Sequence, residues 1–385
     1  MNIGIPKEIA PGETRVAIIP ETVARLIKKG HTIQFEKDAG LASGFTNADY
    51  EKEGATLVPD ASTLYANVDL LVKVQRPLAH PAGKHELEMM KKGALLAGFF
   101  YGLTYPDAAK KAAEQGVDVI SMDAIPRTTK AQRMDALSSQ TNLAGYKAVI
   151  IGANGLGKIF PLMMTAAGTI SPARVVILGA GVAGLQAIAT AKRLGAVVEV
   201  SDVRPEVKEQ VESLGGRYIE PPREEGEDSA DLSGGGGYAR EATPEYLKKQ
   251  QELLAKHIAE ADVVVTTANV PGRKAPMLVS AAMVASMAPG SVIVDMAAES
   301  GGNCELTRAG EVVDHNGVKI HGVVNLPAQT PYHASQLYSR NLQALIDYIT
   351  KEGQLQLDLE DEIVQGALLV HQGAVIHPKV KELLG

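Results

Sequence analysis

Gly179, Gly181 and Gly184 are spaced G-x-G-x-x-G directly after the apolar run RVVIL and at the head of the run VAGLQAIATAKRLGA. Such a turn brings backbone amides up to a phosphate. Gly179 permits the tight passage from strand to helix, Gly181 has no side chain to hold a ligand off, and Gly184 lets helix and strand pack closely. The helix start adds unpaired N–H groups and the positive end of its dipole. Asp202 closes the next apolar run, VVEVSD, about 20 residues on, where an acid accepts hydrogen bonds from a ribose. Strand, turn, helix and acid in one register imply a dinucleotide. A carboxylate at Asp202 repels a 2′-phosphate, which favours NAD(H) over NADP(H). Arg204 points the other way, and Asp202 outweighs it because it ends the strand.

A second polar constellation lies at 126–146, PRTTKAQRMDALSSQTNLAGY. Arg127, Gln132, Asp135 and Ser138 are suited to hydrogen-bonding an amide and a ribose. The residues alone favour a solvated loop entering a helix, with Ser138 or Ser139 near its cap. GANGLG at 152–157 has Asn154 where the second glycine belongs and follows a helix-like stretch, so it reads as helix-breaking or close-packing glycine. No histidine pair has metal-ligand spacing on a clear helix, and no metal site is expected.

These residues need an α/β framework. NIGIP, TIQFE, DLLVKVQ, ALLAGFF and VDVISM read as strands in the first region of the chain, with PETVARLIKKG a helix between two of them. RVVILG, VVEVSD, DVVVTTA, SVIVDMA and VKIHGVVN read as buried strands of a parallel sheet. The expected class is α/β, with two Rossmann-like, doubly wound parallel-sheet domains joined by long helices. Residues 1–137 with about 327–385 form the first domain, and 138–326 the dinucleotide-binding one. The stretch 138–167 reads as helical, broken near its glycines. The stretch 220–250 begins acidic and rich in Pro and Gly, and reads as a mobile surface loop, about 220–245.

At 385 residues the chain has room for two domains, and 45% hydrophobic with 22% charged residues is an ordinary globular balance. There is no Trp, so aliphatic side chains must fill most of the core. A net charge of −7 without a Lys/Arg stripe argues against a nucleic-acid partner. One cysteine, Cys304, fits a reducing compartment. The N-terminus has no signal-peptide run, and the 11 residues of GALLAGFFYGL fall short of the roughly 20 that span a bilayer.

From GIPKEIAPGETRVAIIPE through VKVQRP, PRTTKAQRMDALSSQTNLAGY, MMTAAGTISPARVVILGAGVAGLQAIATAKRLGA and GGYARE to ESGGNC, the chain resembles the soluble NAD(H)-binding alpha subunit of proton-translocating NAD(P)+ transhydrogenases. The resemblance implies that Arg127 contacts the nicotinamide carboxamide region with Ser138 helping to fix it. Gln132 then bonds near the nicotinamide ribose and bridges toward the second cofactor, and Asp135 steadies the loop. It also implies cofactor contacts at Val182, Asp202, Val203, Arg204, Gly237, Gln250 and Asn269, with Tyr238 on the mobile loop closing over NAD(H). Hydride then passes between two nicotinamide rings held roughly 3 to 3.5 Å apart, and no general acid or base is needed. NADP(H) is supplied on a partner subunit, and protons cross a membrane-spanning subunit. The chain is expected to be the separate soluble subunit of a split system, a homodimer, cytoplasmic and peripheral on the inner face of the membrane through those partners.

Alanine dehydrogenases share the fold and several motifs, and Arg15 and Lys73 match their substrate-acid residues. That chemistry needs a His acid/base in the strand corresponding to ALLAGFF, where Phe99 stands. Arg15 and Lys73 therefore read as ion-paired or as an inherited pocket. A non-catalytic NAD(H)-sensing module is the third reading.

Overall fold

The computed structural model describes residues 1–220, 244–269 and 272–385. They divide into two compact units, Met1–Gln140 with Pro327–Gly385, and Thr141–Leu326. Each is a sheet of mainly parallel strands flanked by helices, the doubly wound α/β class expected.

In the first unit eight strands run in the spatial order Ala374–Val375, Leu368–His371, Asp118–Ser121, Leu95–Gly98, Leu70–Val72, Asn2–Ile5, Thr32–Glu36 and Thr56–Val58. All pair in parallel except Leu368–His371, which runs antiparallel to both its neighbours. The central strands Leu70–Val72 and Leu95–Gly98 are wholly buried, as covering on both faces requires. The helix Pro331–Ile349 buries Ala334, Tyr338, Leu342, Leu345 and Ile349, one stripe at helical spacing. In the absence of Trp, Tyr50, Tyr65 and Tyr338 are the largest fully buried side chains. Each hydroxyl has a partner: Tyr50 donates to Ile18 O at 2.8 Å, Tyr338 to Lys73 O at 2.7 Å, and Tyr65 to the Glu86 carboxylate.

In the second unit the order is Arg217–Tyr218, Val197–Ser201, Arg174–Leu178, Val263–Thr266, Val292–Asp295, Val318–Gly322 and Val312–His315. The first five strands thus stand 3-2-1-4-5 in chain order, the Rossmann arrangement. Leu178 pairs in register with Ser201 on one side and Thr266 on the other. The residues that follow, Gly179, Asp202 and Thr267, therefore leave three neighbouring strands at one level, where the strand order reverses.

Several segments differ from expectation. The helix of 138–167 is Ala136–Gly155, and a hairpin, Met163–Thr165 with Gly168–Ile170, follows it. Pro161 cannot continue a helix, and Gly168 turns the chain at φ +132°. A helix, Pro244–Ala259, begins inside the expected loop; Pro at its first position and a run of Leu, Lys, Gln and Glu favour it. Residues 221–243, and with them Gly237 and Tyr238, lie outside the described residues. The edge strand Thr56–Val58 is too short to show alternation and was not anticipated.

Candidate functional site

The glycine turn of the second unit is built around three contacts. Gly179 sits at φ +107°, and a Cβ there would lie 2.4 Å from Thr267 Oγ1. That hydroxyl reaches the Leu178 and Gly179 carbonyls at 3.2 and 3.1 Å. A Cβ on Gly184 would lie 1.9 Å from Gly179 O, so helix and turn touch backbone to backbone. A Cβ on Gly181 would meet nothing within 4 Å. Gly181 caps the helix Val182–Arg193 with no side-chain acceptor for its first amides. Packing thus demands the first and third glycines, and the second faces open space at a helix N-terminus, which fits a pyrophosphate.

Asp202 is buried. Its carboxylate accepts from Ala180 N at 2.7 Å and Arg204 N at 2.9 Å, and Arg204 Nε and Nη2 each approach an oxygen at 3.0 Å. Tyr218 donates to Asp202 O at 2.7 Å. Val182 is exposed at the helix start, Val203 and Arg204 are half-buried beside Asp202, Gln250 is buried on the helix Pro244–Ala259, and Asn269 is exposed after the fourth strand.

Several supports escaped the sequence reading. Asp295 is fully buried and accepts from Thr266 Oγ1, Ala297 N, Asn303 N, Cys304 N and Thr307 Oγ1. Asn303 in turn donates to Ala268 O and Pro276 O, both at 2.8 Å, pinning the chain on either side of Asn269. An acid ending SVIVD, as Asp202 ends VVEVSD, was the available signal. Gly145 is another: a Cβ there would lie 2.2 Å from Ala183 O on the fingerprint helix. Gly152 of the rejected glycine run would place a Cβ 2.8 Å from Val263, a close-packing contact.

In the first unit, Arg127 and Gln132 are exposed, on and just before a 3-10 turn, Thr129–Met134. Asp135 accepts from Ser138 N at 2.8 Å and Ser138 Oγ at 2.6 Å, so it caps the helix Ala136–Gly155. Asp135 and Ser138 are therefore bonded to each other, while Arg127 and Gln132 stand on the surface of the same segment. The same unit holds a buried ionic group. Arg15 pairs with Glu13 through Nε and Nη2, both at 2.7 Å, and donates to Gln140 at 2.8 Å. Lys73 lies 2.6 Å from Glu86 and 3.4 Å from Glu8. Both cations are ion-paired inside the unit. Phe99 is buried, its ring 5.7 Å from Tyr101 and 5.1 Å from Tyr338. Among the described residues no cluster of His, Cys, Asp and Glu is arranged to hold a metal, and no helix is long and apolar enough to cross a membrane.

Residues 4–144 match the family model described as Alanine dehydrogenase/PNT, N-terminal domain, and residues 148–378 match its C-terminal domain. The chain is 45% identical over 380 residues to the NAD(P) transhydrogenase subunit alpha, first part, of Rhodospirillum rubrum, covering 98% of each. It is 32% identical to alanine dehydrogenase 1 of Staphylococcus aureus over 97% of this chain and 94% of that one. The crystal structure of transhydrogenase from Sinorhizobium meliloti superposes with a TM-score of 0.84 at 40% identity, over 98% of this chain and 99% of the other.

Proposed function

The chain belongs to the alanine dehydrogenase/PNT family, and from that premise we propose that it binds NAD(H) and takes part in direct hydride transfer with NADP(H) held on a partner component, coupled to proton translocation in a membrane component. The observation that carries the reading is the wiring of Asp202 to Ala180 N within a turn whose middle glycine faces open space. Bound NAD(H) supplies a nicotinamide ring that gives up or accepts hydride at C4. Gly179, Gly181 and Gly184 bring the helix amides to its pyrophosphate. Asp202 receives the adenosine ribose hydroxyls, and Val182, Val203, Arg204, Gln250 and Asn269 complete the contacts. Arg127 and Ser138 hold the carboxamide end, Gln132 bonds at the nicotinamide ribose and faces the second nucleotide, and Asp135 steadies their segment.

Identity to a transhydrogenase subunit exceeds that to an alanine dehydrogenase. Phe99, packed between two tyrosines, offers no proton where an amino-acid dehydrogenase needs one. The chain works as a homodimer with an NADP(H)-binding subunit and a membrane-spanning subunit, at the cytoplasmic face of the membrane. The test mixes the purified chain with a matching NADP(H)-binding component and follows hydride exchange between NADH and an NADP+ analogue. Exchange requiring both components supports the reading. Intact NADH binding without exchange favours a sensing module, and alanine oxidation by the chain alone favours the dehydrogenase.

A further inference from the structure

We propose that Asn341 is a positioning residue for hydride transfer, clamping the corner between the turn Thr129–Met134 and the helix Ala136–Gly155 and so fixing the aim of Gln132, Asp135 and Ser138. The inference rests on the hydride-transfer reading above and names a part of its machinery that lies outside the polar segment itself.

Asn341 stands in the middle of the helix Pro331–Ile349, 8% exposed, beside the buried Tyr338, Leu342 and Leu345. An amide in such a place is unfavourable unless its groups are bonded. Both ends are. Nδ2 donates to Arg133 O at 2.8 Å, and Oδ1 accepts from Ser139 Oγ at 2.7 Å, the nearer of two acceptors within that hydroxyl's reach, Ala136 O being the other at 3.0 Å. Arg133 is in the last turn of the 3-10 segment, where a carbonyl loses its helical partner. Ser139 is in the first turn of the next helix.

One side chain therefore grips the corner on both sides of Asp135. The Asp135 cap to Ser138 is internal to the corner and sets its shape without fixing where the corner sits. Ala131, Met134 and Ala136 join the same apolar core as Leu342 and Leu345, but apolar packing is non-directional. The two-ended amide bond sets the register on both sides of Asp135, whereas Gln140, which donates to Ala334 O at 3.0 Å and accepts from Arg15 at 2.8 Å, ties only the helix side. Lys130 reaches Asp361 at 3.0 Å and lies 5.0 Å from the Tyr348 ring centroid, but on the exposed surface, where ion pairs contribute little.

Asn341→Asp keeps the acceptor for Ser139 and turns the donor facing Arg133 O into a second oxygen. Ser139→Ala removes the other arm, and Lys130→Met serves as the exposed control. In the cofactor-free chain, Asn341→Asp should speed amide hydrogen exchange at residues 133–139. Reconstituted with an NADP(H)-binding component, it should slow single-turnover hydride transfer about tenfold to a hundredfold, while the Kd for NADH stays within about twofold. Ser139→Ala should shift both readouts in the same direction by less, and Lys130→Met should leave the rate within about twofold. Unchanged transfer in Asn341→Asp overturns the proposal, and so does NADH affinity lost in step with the rate. Should Asn341→Asp not fold, Ser139→Ala decides: slower transfer at unchanged Kd supports the clamp, and a wild-type rate refutes it. A wild-type chain that exchanges no hydride with its partner defeats the functional reading itself, before any variant is made.

Discussion

The Asp202 carboxylate accepts a 2.7 Å hydrogen bond from the backbone amide of Ala180, so the acid ending one strand is fastened to the glycine turn ending its neighbour. Arg204 folds back onto the same carboxylate, with Nε and Nη2 each 3.0 Å from an oxygen. Bonding to Asp202, chiefly, holds the Arg204 guanidinium above its ordinary pKa against its partial burial. The acid is thus oriented in advance, and Arg204, a nearby cation that could attract a 2′-phosphate, is engaged with it.

Asp202→Ala should weaken NADH binding while leaving the fold intact. The loss includes the anchor for Ala180 and, in the proposed binding mode, a charged acceptor for the ribose. Hydrogen bonds to charged groups contribute about 1.5–3 kcal/mol, so the Kd should rise roughly tenfold to a hundredfold. Asp202→Asn, which keeps the shape and removes the charge, should narrow the preference for NADH over NADPH. Titration calorimetry with both nucleotides measures the two effects. An Asp202→Ala chain that binds NADH as tightly as wild type removes Asp202 from the cofactor site.

Two alanine substitutions in the same turn should behave oppositely. A Cβ on Gly184 has backbone 1.9 Å away at Gly179 O, and backbone cannot yield as a flexible side chain does. Gly184→Ala should destabilise the second unit by several kcal/mol, about the upper range for single substitutions, and appear as a lowered Tm without cofactor. A Cβ on Gly181 meets nothing within 4 Å, and its φ of −76° suits alanine. Gly181→Ala should leave the cofactor-free Tm within a degree or two, a shift of under about 0.5 kcal/mol, yet raise the Kd for NADH. Equal NADH affinity in Gly181→Ala and wild type means that the pyrophosphate does not lie against this residue.

The residues differ in how far sequence reveals them. The turn formed by Gly179, Gly181, Gly184 and Asp202 was legible because its geometry requires a residue type at a fixed local spacing. The buried strands were legible because covering both faces leaves continuous apolar runs. The hairpin at 163–170 was not, since its apolar residues are exposed and imitate a helix continuing from Ala136–Gly155. Asp295, Asn303 and Thr267 were also missed. They act by bonding backbone that is distant in sequence, as Asn303 does to Ala268 O, and such a partner leaves no periodic trace. Arg15 and Lys73 read from sequence as ion-paired or as an inherited pocket; both are ion-paired, but Glu86, 13 residues from Lys73, could be named as the partner only from the structure.

Gln132→Asn tests the polar segment. Gln132 is exposed within the turn Thr129–Met134, and its backbone carbonyl accepts from Asp135 N at 3.3 Å. Shortening it by one methylene should slow hydride transfer at least tenfold, in the range expected for a displaced positioning contact, while the Kd for NADH changes by less than about threefold. Stopped-flow transfer with the partner component and equilibrium titration without it separate the two. Parallel losses in rate and affinity would make Gln132 a binding residue only.

The buried ionic group of the first unit makes stability depend on pH in a direction that can be worked out. The Glu8 side chain is buried, accepts from Val74 N at 2.6 Å, and lies 3.4 Å from Lys73 Nζ, which gives its closer 2.6 Å contact to Glu86. One ammonium thus faces two carboxylates. Burial, chiefly, raises the Glu8 carboxyl from 4.5 to about 7, with Lys73 opposing and Glu86 and Glu13 adding to the rise. The folded chain therefore holds this proton more tightly than the unfolded chain, so the contribution is full below about pH 4.5 and is lost as pH climbs through 7. Glu13 runs the other way. Burial would raise it, but bonds and charge from Arg15, with Gln75, bring it down to about 2, so its contribution is present above pH 4.5 and is lost as pH falls toward 2. A tenfold change in proton affinity between folded and unfolded chain corresponds to about 1.4 kcal/mol. Urea unfolding of wild type and Glu8→Gln at pH 5 and pH 8 isolates the first effect, because other titrations cancel in the difference. Wild type should lose roughly 1–3 kcal/mol relative to the variant on going from pH 5 to pH 8. Parallel profiles would mean that Glu8 stays ionised across this range, and that Lys73 stabilises both of its carboxylates at once.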